Sequence, residues 1–308
     1  MAINTQVHLL APAKINLFLH VLGQRVDGYH ELQSVFRTIN LFDQLTITVG
    51  RSQGEVELRC SSDLGPAEEN LAYRAAEALR EHACVDFGAR ISLDKFIPIG
   101  AGLGGGSSDA AAVLIGLNTL WGLDLPDREL SLLGARLGAD IPFFIESGDA
   151  WVSGIGDELQ ALNLPEAWYV LVYPGVVVPT GRIFSDPDLT RDSVPRTIAR
   201  FLADPKQEKW LNDLERVAIG HYPEIGRAKN WLSREGAVKM SGSGSSVFAQ
   251  VESEAEGQEI VSRLPSEWRG FVVQAGCVPS LQRQMTKQVA RPGRDLNGGE
   301  ANDSDILG

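Results

Sequence analysis

Cysteine is scarce: Cys60, Cys84 and Cys277 are the three in 308 residues. An odd number at wide spacing makes neither a disulfide framework nor a zinc site, and it fits a reducing compartment, the cytoplasm. Long apolar runs are missing too. None approaches the ~18–20 residues of a membrane span, so no membrane partner is expected. Residues 1–6 lack the basic stretch and apolar core of a secretory signal. Basic residues are outnumbered, 28 Lys and Arg against 40 Asp and Glu, for a net charge of -12 and a pI near 4.9. That balance argues against a nucleic-acid partner, which calls for a basic face. It also sets a condition on any phosphate ligand, because the field of the whole chain repels it. Local donors must win: a helix N-terminus, backbone N–H groups, a few placed lysines and a divalent cation.

What the chain does have is glycine in one place. Gly100, Gly102, Gly104, Gly105 and Gly106 fall within seven residues, followed by Ser107, Ser108, Asp109 and an alanine-rich apolar run. Glycine lets backbone N–H groups approach an anion and allows positive φ. Ser107 or Ser108 suits the N-cap of the helix that follows, whose dipole favours negative charge in front of it. Together these features describe a phosphate cradle. A flexible linker does not run straight into a dense helix former. No Lys follows the last glycine, so the loop is not a Walker A. Gly100, Gly102 and Gly105 satisfy G-x-G-x-x-G, but residues 119–126 offer no β-branched second strand for a dinucleotide fold.

With 44% apolar residues the chain can fill one large core or two ordinary ones. Residues 13–22 alternate as a half-buried strand, with Ile15, Leu17, Leu19 and Val21 on one face and Lys14, Asn16, Phe18 and His20 on the other. Lys14 and Asn16 then either project into a cleft or decorate an exposed face. A turn at Asp27-Gly28 leads to Tyr29, able to stack on a flat ring, and His30, a neutral hydrogen-bonding partner at pH 7. Further strands are expected over 33–49, bent at 42–44, with an edge strand at 55–60. Helices are expected over 70–79, from the glycine loop to about Leu120, and over 127–137 with Asp127 as the cap. Asp140 lies at a helix end, held extended by Ile141-Pro142.

The second half reads as strands at 168–174 and 176–178, helices around 196–202 and 212–220, and another after Pro223. A second glycine element, Ser241-Gly242-Ser243-Gly244-Ser245-Ser246, sits between strands and is therefore a tight, ordered loop. A helix over 254–264 and a strand over 271–274 follow. From Arg291 the composition predicts a disordered tail.

Four motifs in this order resemble the GHMP family of small-molecule kinases. They are Pro12-Ala13-Lys14-Ile15-Asn16-Leu17 with Asp27-Gly28-Tyr29-His30-Glu31 behind it, residues 98–109, Leu137-Gly138-Ala139-Asp140-Ile141-Pro142-Phe143-Phe144, and residues 241–248. The resemblance spans residues 7–278. It implies an α+β fold in two lobes: an N-terminal lobe like the second domain of ribosomal protein S5, a C-terminal α/β-plait lobe, and a cleft between them. The implied division is 1–163 for the ATP-binding domain, 164–285 for the C-terminal domain and 286–308 for the tail.

The implied activity is ATP-dependent phosphorylation of the 2-hydroxyl of 4-(cytidine 5'-diphospho)-2-C-methyl-D-erythritol, on the non-mevalonate route to isoprenoid precursors. ATP and Mg2+ are the implied cofactors, with no protein ligand assigned to the metal, and the chain is a monomer or weak homodimer. Asp140 resembles the catalytic carboxylate and Lys14 the lysine beside it. Pro98, Gly100, Gly102, Leu103, Gly104, Gly105, Gly106, Ser107 and Ser108 resemble the residues around the ATP phosphates, with Asn70 and Leu71 near the adenine. Asn16, Tyr29, His30, Ile155, Thr180 and Phe184 resemble the substrate pocket, the cytosine lying between Tyr29 and Phe184 with its edge read by His30. Asp109, beside phosphates, must point away or meet Mg2+. Three other readings stay open: a homoserine- or mevalonate-type kinase, a nucleotide-binding regulator without turnover, and an NAD-linked oxidoreductase.

Overall fold

The computed structural model describes residues 5–146, 148–205 and 210–289. Its frame is an antiparallel pair of long strands, β1 (Gln6–Gln24) and β2 (His30–Gln53), in register from Gln6 opposite Thr48 to Gln24 opposite His30. The turn between them holds Gly28 at φ 87°, as Asp27-Gly28 foretells. Two expectations need correction here. From Ala11 to Val21 β1 is covered on both faces rather than one, with Lys14 and Asn16 buried like Ile15. Register shifts at Pro12/Ala13, Asn16/Leu19 and Val21/Gly23 interrupt the alternation and re-aim its side chains. The bend expected at 42–44 is absent: β2 runs through, and the irregularity falls at Asn40 and Leu41, between the Ala13–Ile39 and Pro12–Phe42 pairs.

The edge strand β3 (Val56–Cys60) crosses through helix α1 (Leu71–His82) to its parallel neighbour β4 (Phe87–Asp94), which pairs with β2. Asn70 caps α1, its Oδ1 accepting from Ala72 N at 2.9 Å. Helix α2 (Gly105–Leu120) is small and apolar all round because β1, β2 and α1 cover it. Next come α3 (Asp127–Ala135) and α4 (Ile141–Glu146). Pro126, not Asp127, is the N-cap of α3, and Asp127 sits in the first turn, where its charge suits the dipole. Ile141-Pro142 opens α4 instead of holding an extended segment, because a proline's missing N–H costs nothing in a first turn. The hairpin β5 (Asp149–Ser153) and β6 (Glu158–Leu162) docks on β2 through β5.

The second half begins with β7 (Ala167–Tyr173). Residues 176–178, expected as a strand, are irregular. Flanked by Gly175 at φ 82° and by Pro179, they find no ladder, and Val178 N donates to Gly100 O at 3.0 Å instead. Helices α5 (Thr180–Phe184), α6 (Ile198–Ala203), α7 (Glu215–His221) and α8 (Pro223–Leu232) follow. The chain then forms β8 (Val238–Met240), β9 (Val247–Val251), α9 (Glu254–Ser262) and β10 (Arg269–Ala275). The sheet runs β3-β4-β2-β10-β7-β9-β8, its two halves joined where Ala275 of β10 meets Ile39 of β2. A shared core forms at that seam, where Ile15, Ile39, Ala101 and Leu103 pack with Leu171, Phe248 and Val273. The glycine loop is thereby anchored to both halves of the sheet.

Helix α10 (Leu281–Val289) has no counterpart among the expected elements and passes residue 286. It returns to the first half, burying Leu281 and Met285 in the core there. Gln284 accepts from Leu10 N at 2.9 Å and donates to Leu10 O at 3.0 Å, covering the open edge of β1. The tail beyond, 290–308, lies outside the described residues.

Candidate active site

The glycine loop closes on the rest of the protein by backbone contact. Gly102, at φ 75°, has room for no side chain: a Cβ there would lie 2.1 Å from the Ser241 carbonyl oxygen. Gly104, at φ 72°, is the N-cap of α2, and its Cβ would lie 2.9 Å from the Phe144 ring and 3.1 Å from Lys14 Cγ. The expected serine cap is therefore a glycine cap, one residue before the helix. Ser107 lies in the first turn and lines the cleft. Ser108 does not line it; its hydroxyl is buried toward the core without a hydrogen-bond partner.

The second glycine element completes this wall. Ser241 Oγ donates to Gly102 O at 2.9 Å, and Ser246 N donates to Ala101 O at 3.1 Å. Asn212 Nδ2 holds the carbonyls of Met240 and Gly242 at 2.9 and 2.8 Å. Ser243 Oγ lies 2.9 Å from Thr180 Oγ1, which ties the loop to α5.

Beneath the loop, Lys14 projects from β1 with its side chain 5% exposed. Its Nζ donates to Asn16 Oδ1 at 2.7 Å, lies 3.5 Å from Asp140 Oδ2 and sits 4.3 Å above the Phe36 ring. Asn16 Nδ2 donates in turn to Ser34 Oγ at 3.0 Å, which fixes the amide. The cleft is thus the answer to the two placements left open for Lys14 and Asn16. Asp140, 30% exposed, presents its carboxylate to the cleft from the residue before α4. A half-open carboxylate beside a buried ammonium can accept a proton from a bound hydroxyl while the ammonium neutralises nearby anionic charge.

A second charged cluster lies under the start of α2. Asp43, fully buried on β2, accepts from Phe96 N at 2.7 Å and Ile97 N at 2.9 Å, and pairs with Lys95 Nζ. Lys95 Nζ also pairs with Asp109 Oδ2 at 2.7 Å, so Asp109 faces a lysine. Burial works against the Lys95 charge, but Asp109 and Asp43 outweigh it and hold its pKa above the usual lysine value. Burial raises the Asp109 pKa against the opposing pull of Lys95. Asp43 and Lys95 were not foreseen: each is a single charged residue in an ordinary strand or loop, without a motif around it.

The glycine loop, the Lys14–Asp140 pair and, from the buried cluster, Lys95 and Asp109 open on one cleft of about 970 Å³. Lys14, Asn16, Asn70, Leu71, Pro98, Gly100, Gly102, Leu103, Gly104, Gly105, Gly106, Ser107 and Asp140 line it, as do Tyr29, His30, Ile155, Thr180 and Phe184. Ser108 is the one expected site residue that does not. The His30 and Phe184 rings lie 5.2 Å apart at 39°, and Tyr29 stands 59% exposed at the rim. Arg191, also unforeseen, donates from Nε to His30 Nε2 at 3.0 Å. Burial, reinforced by the Arg191 charge, pushes the His30 pKa below its usual value, which keeps the ring neutral. Among the described residues no group of three or more His, Cys, Asp or Glu could hold a metal ion, and no helix is long and apolar enough to cross a membrane.

Comparison with known proteins agrees with this geometry. Residues 70–148 match the family model of the GHMP kinases N terminal domain, and residues 201–270 that of the GHMP kinases C terminal domain. The chain is 45% identical over 272 residues, 86% of its length and 92% of the other's, to the 4-diphosphocytidyl-2-C-methyl-D-erythritol kinase of Burkholderia multivorans. It is 48% identical over 261 residues, 85% and 90% of the two lengths, to the enzyme of that name from Aromatoleum aromaticum. A crystal structure of 4-(cytidine 5'-diphospho)-2C-methyl-D-erythritol kinase superposes with a TM-score of 0.74 at 36% identity, covering 88% of this chain and 100% of that one. With both domain models in place around the cleft and identity sustained over most of its length, this chain belongs to the GHMP kinase family.

Proposed function

We propose that the protein transfers the γ-phosphoryl group of ATP to the 2-hydroxyl of 4-(cytidine 5'-diphospho)-2-C-methyl-D-erythritol. One observation carries the reading: the Lys14–Asp140 pair, the glycine-loop helix start and the His30–Phe184 wall open on a single cleft. The relatives named for this substrate match nearly their whole length.

Phosphoryl transfer passes through a loose transition state, so the work is positioning and charge neutralisation. The backbone N–H groups at the start of α2 receive the phosphates. Asp140 accepts a hydrogen bond from the attacking hydroxyl, orients it and takes its proton as the new P–O bond forms. Lys14 offsets charge on the transferring oxygens, and Asn16 holds that lysine in place. Tyr29 and Phe184 flank the cytosine, His30 meets its edge, and Ile155 and Thr180 complete the pocket. Asn70 and Leu71 flank the adenine.

Mg2+ keeps several waters and binds largely through substrate phosphates. With no protein cluster for it among the described residues, the ion would arrive on ATP, with the Ser107 hydroxyl as the protein oxygen beside it. Once bound, it would neutralise charge on the phosphate oxygens.

We assign residues 1–163 to the ATP-binding lobe and 164–285 to the second lobe, and place the protein in the cytoplasm as a monomer or weak homodimer. Three unpaired cysteines, two of them exposed, support that compartment.

The test is ATP consumption by purified protein with Mg2+ and the cytidyl substrate, beside homoserine and mevalonate. Turnover with the cytidyl conjugate alone is expected; turnover with another alcohol instead would discard the cytosine pocket.

A further inference from the structure

Arg191 touches no part of the phosphoryl-transfer machinery, yet four of the five N–H groups of its guanidinium are engaged. Nε donates to His30 Nε2 at 3.0 Å, Nη1 to Leu189 O at 3.1 Å, and Nη2 to Phe184 O at 3.0 Å and Asp186 O at 2.8 Å. One side chain therefore binds the imidazole on β2 and the backbone of the segment carrying Phe184. These are the two rings that stand 5.2 Å apart on the cleft wall.

The chemistry of the first bond is restrictive. A guanidinium stays protonated at every pH of interest and can only donate. His30 Nε2 must therefore be the bare, accepting nitrogen, and the proton of the neutral ring must reside on Nδ1. An imidazolium would set Nε2–H against Nε–H, so protonation requires breaking the contact. The depressed basicity of His30, from burial and then from Arg191, agrees with that geometry. His30 lines the cleft, and Nδ1–H is the ring group left to meet a ligand.

We propose that Arg191 is a positioning residue that sets base selectivity, by holding His30 as the Nδ1–H tautomer so that the ring donates to the acceptor edge of a cytosine. The proposal rests on reading this cleft as a cytidyl site. The discriminating acceptor is N3, bare in cytosine, whereas uracil carries a proton there and meets the same donor with a donor; O2 accepts in both bases. A site built to donate rejects such an analogue because its own buried group is left unpaired. The same guanidinium fixes the carbonyl of Phe184, so both the edge contact and the stacking wall are set before substrate arrives.

Nitrogen-15 NMR of the histidine rings in the ligand-free full-length protein tests the tautomer directly, with the His30 signals assigned by their loss in His30→Asn. The expected result is a protonated Nδ1 and a bare Nε2. In Arg191→Met the ring should shift toward Nε2–H, KM for the cytidyl substrate should rise about tenfold, and KM for ATP serves as the unaffected control. Arg191→Lys keeps the charge without the planar fork and should fall between. Cytidine diphosphate should inhibit the wild type more strongly than uridine diphosphate, and the Met variant should narrow that ratio. An Nε2–H tautomer in the wild type, or an unchanged tautomer in both variants, would overturn the proposal. Absence of turnover with the cytidyl substrate would defeat the functional reading instead, and leave the NMR result to decide the Arg191–His30 relation.

Discussion

Ser241 donates its hydroxyl to the carbonyl of Gly102 at 2.9 Å, joining two glycine elements that lie 139 residues apart in sequence. The contact is possible because Gly102 has no Cβ, which would stand 2.1 Å from the Ser241 carbonyl oxygen. Ser241→Ala removes that hydrogen bond and the one Ser241 Oγ accepts from Asn16 N at 3.3 Å, and should cost about 1–3 kcal/mol in urea melts. Gly102→Ala forces the loops apart, and a misplacement of ~1 Å beside the chemistry can cost 10²-fold. The expected ordering is a far greater loss of kcat/KM in Gly102→Ala than in Ser241→Ala. Equal losses would mean the close approach does not position the phosphates.

Asp140→Ala removes the proton acceptor but leaves the glycine loop and Lys14 in place. Turnover should fall ~10²–10⁴-fold, the usual cost of losing a positioned base. ATP affinity, read by calorimetry, should stay near the wild-type value. An unchanged kcat would remove Asp140 from the mechanism.

Tyr29 is 59% exposed and touches the fold little, so Tyr29→Ala should change stability by less than about 0.5 kcal/mol. If its ring stacks on the base, KM for the cytidyl substrate should rise by about tenfold or more, with KM for ATP nearly constant. Equal effects on the two KM values would contradict the stacking role.

The Arg37–Asp149 pair, 3.3 Å apart and almost wholly buried, predicts a pH dependence of stability. Burial raises the Asp149 pKa from 3.8 to about 6, against the opposing pull of Arg37. The folded state therefore binds this proton more tightly than the unfolded chain, so Asp149 contributes less stability as pH rises through that window. Asp149→Asn fixes the neutral form that the protonated carboxyl already has at pH 4, while Arg37 keeps its bonds to Tyr169 Oη and Pro165 O. Wild type and variant should therefore be close in stability at pH 4, and wild type should lose ground to the variant by pH 7, by on the order of 3 kcal/mol. Wild type gaining on the variant as pH rises would reverse the assignment.

The parts legible in sequence are those whose chemistry is concentrated in contiguous residues. The glycine run, Lys14 with Asn16 on one strand, and Asp140 before a proline announce themselves because backbone geometry and ionic character coincide there. Asp43 and Lys95 do not, since their pairing spans 52 residues, and Arg191 reaches His30 across 161. Such contacts are made by tertiary folding, and no local pattern encodes them. Residues 176–178 misled because β-branched side chains signal a strand only where a partner strand exists. Helix α10 was hidden by its polarity: Leu281 and Met285 are its buried apolar residues, and its glutamines serve β1 rather than a core. Ser108 shows the limit of motif reading, since a helix turns one of two adjacent serines inward.

The central claim is tested most directly by the product itself. The 2-carbon of the substrate bears a methyl group, so its hydroxyl is tertiary and its carbon carries no hydrogen. Proton-coupled phosphorus-31 NMR of the reaction with ATP, Mg2+ and the cytidyl substrate should therefore show a new phosphomonoester as an unsplit line, appearing as ADP forms. A doublet would place the phosphate on the secondary hydroxyl, and ADP with inorganic phosphate alone would mean that no alcohol was phosphorylated; either result would contradict the assignment.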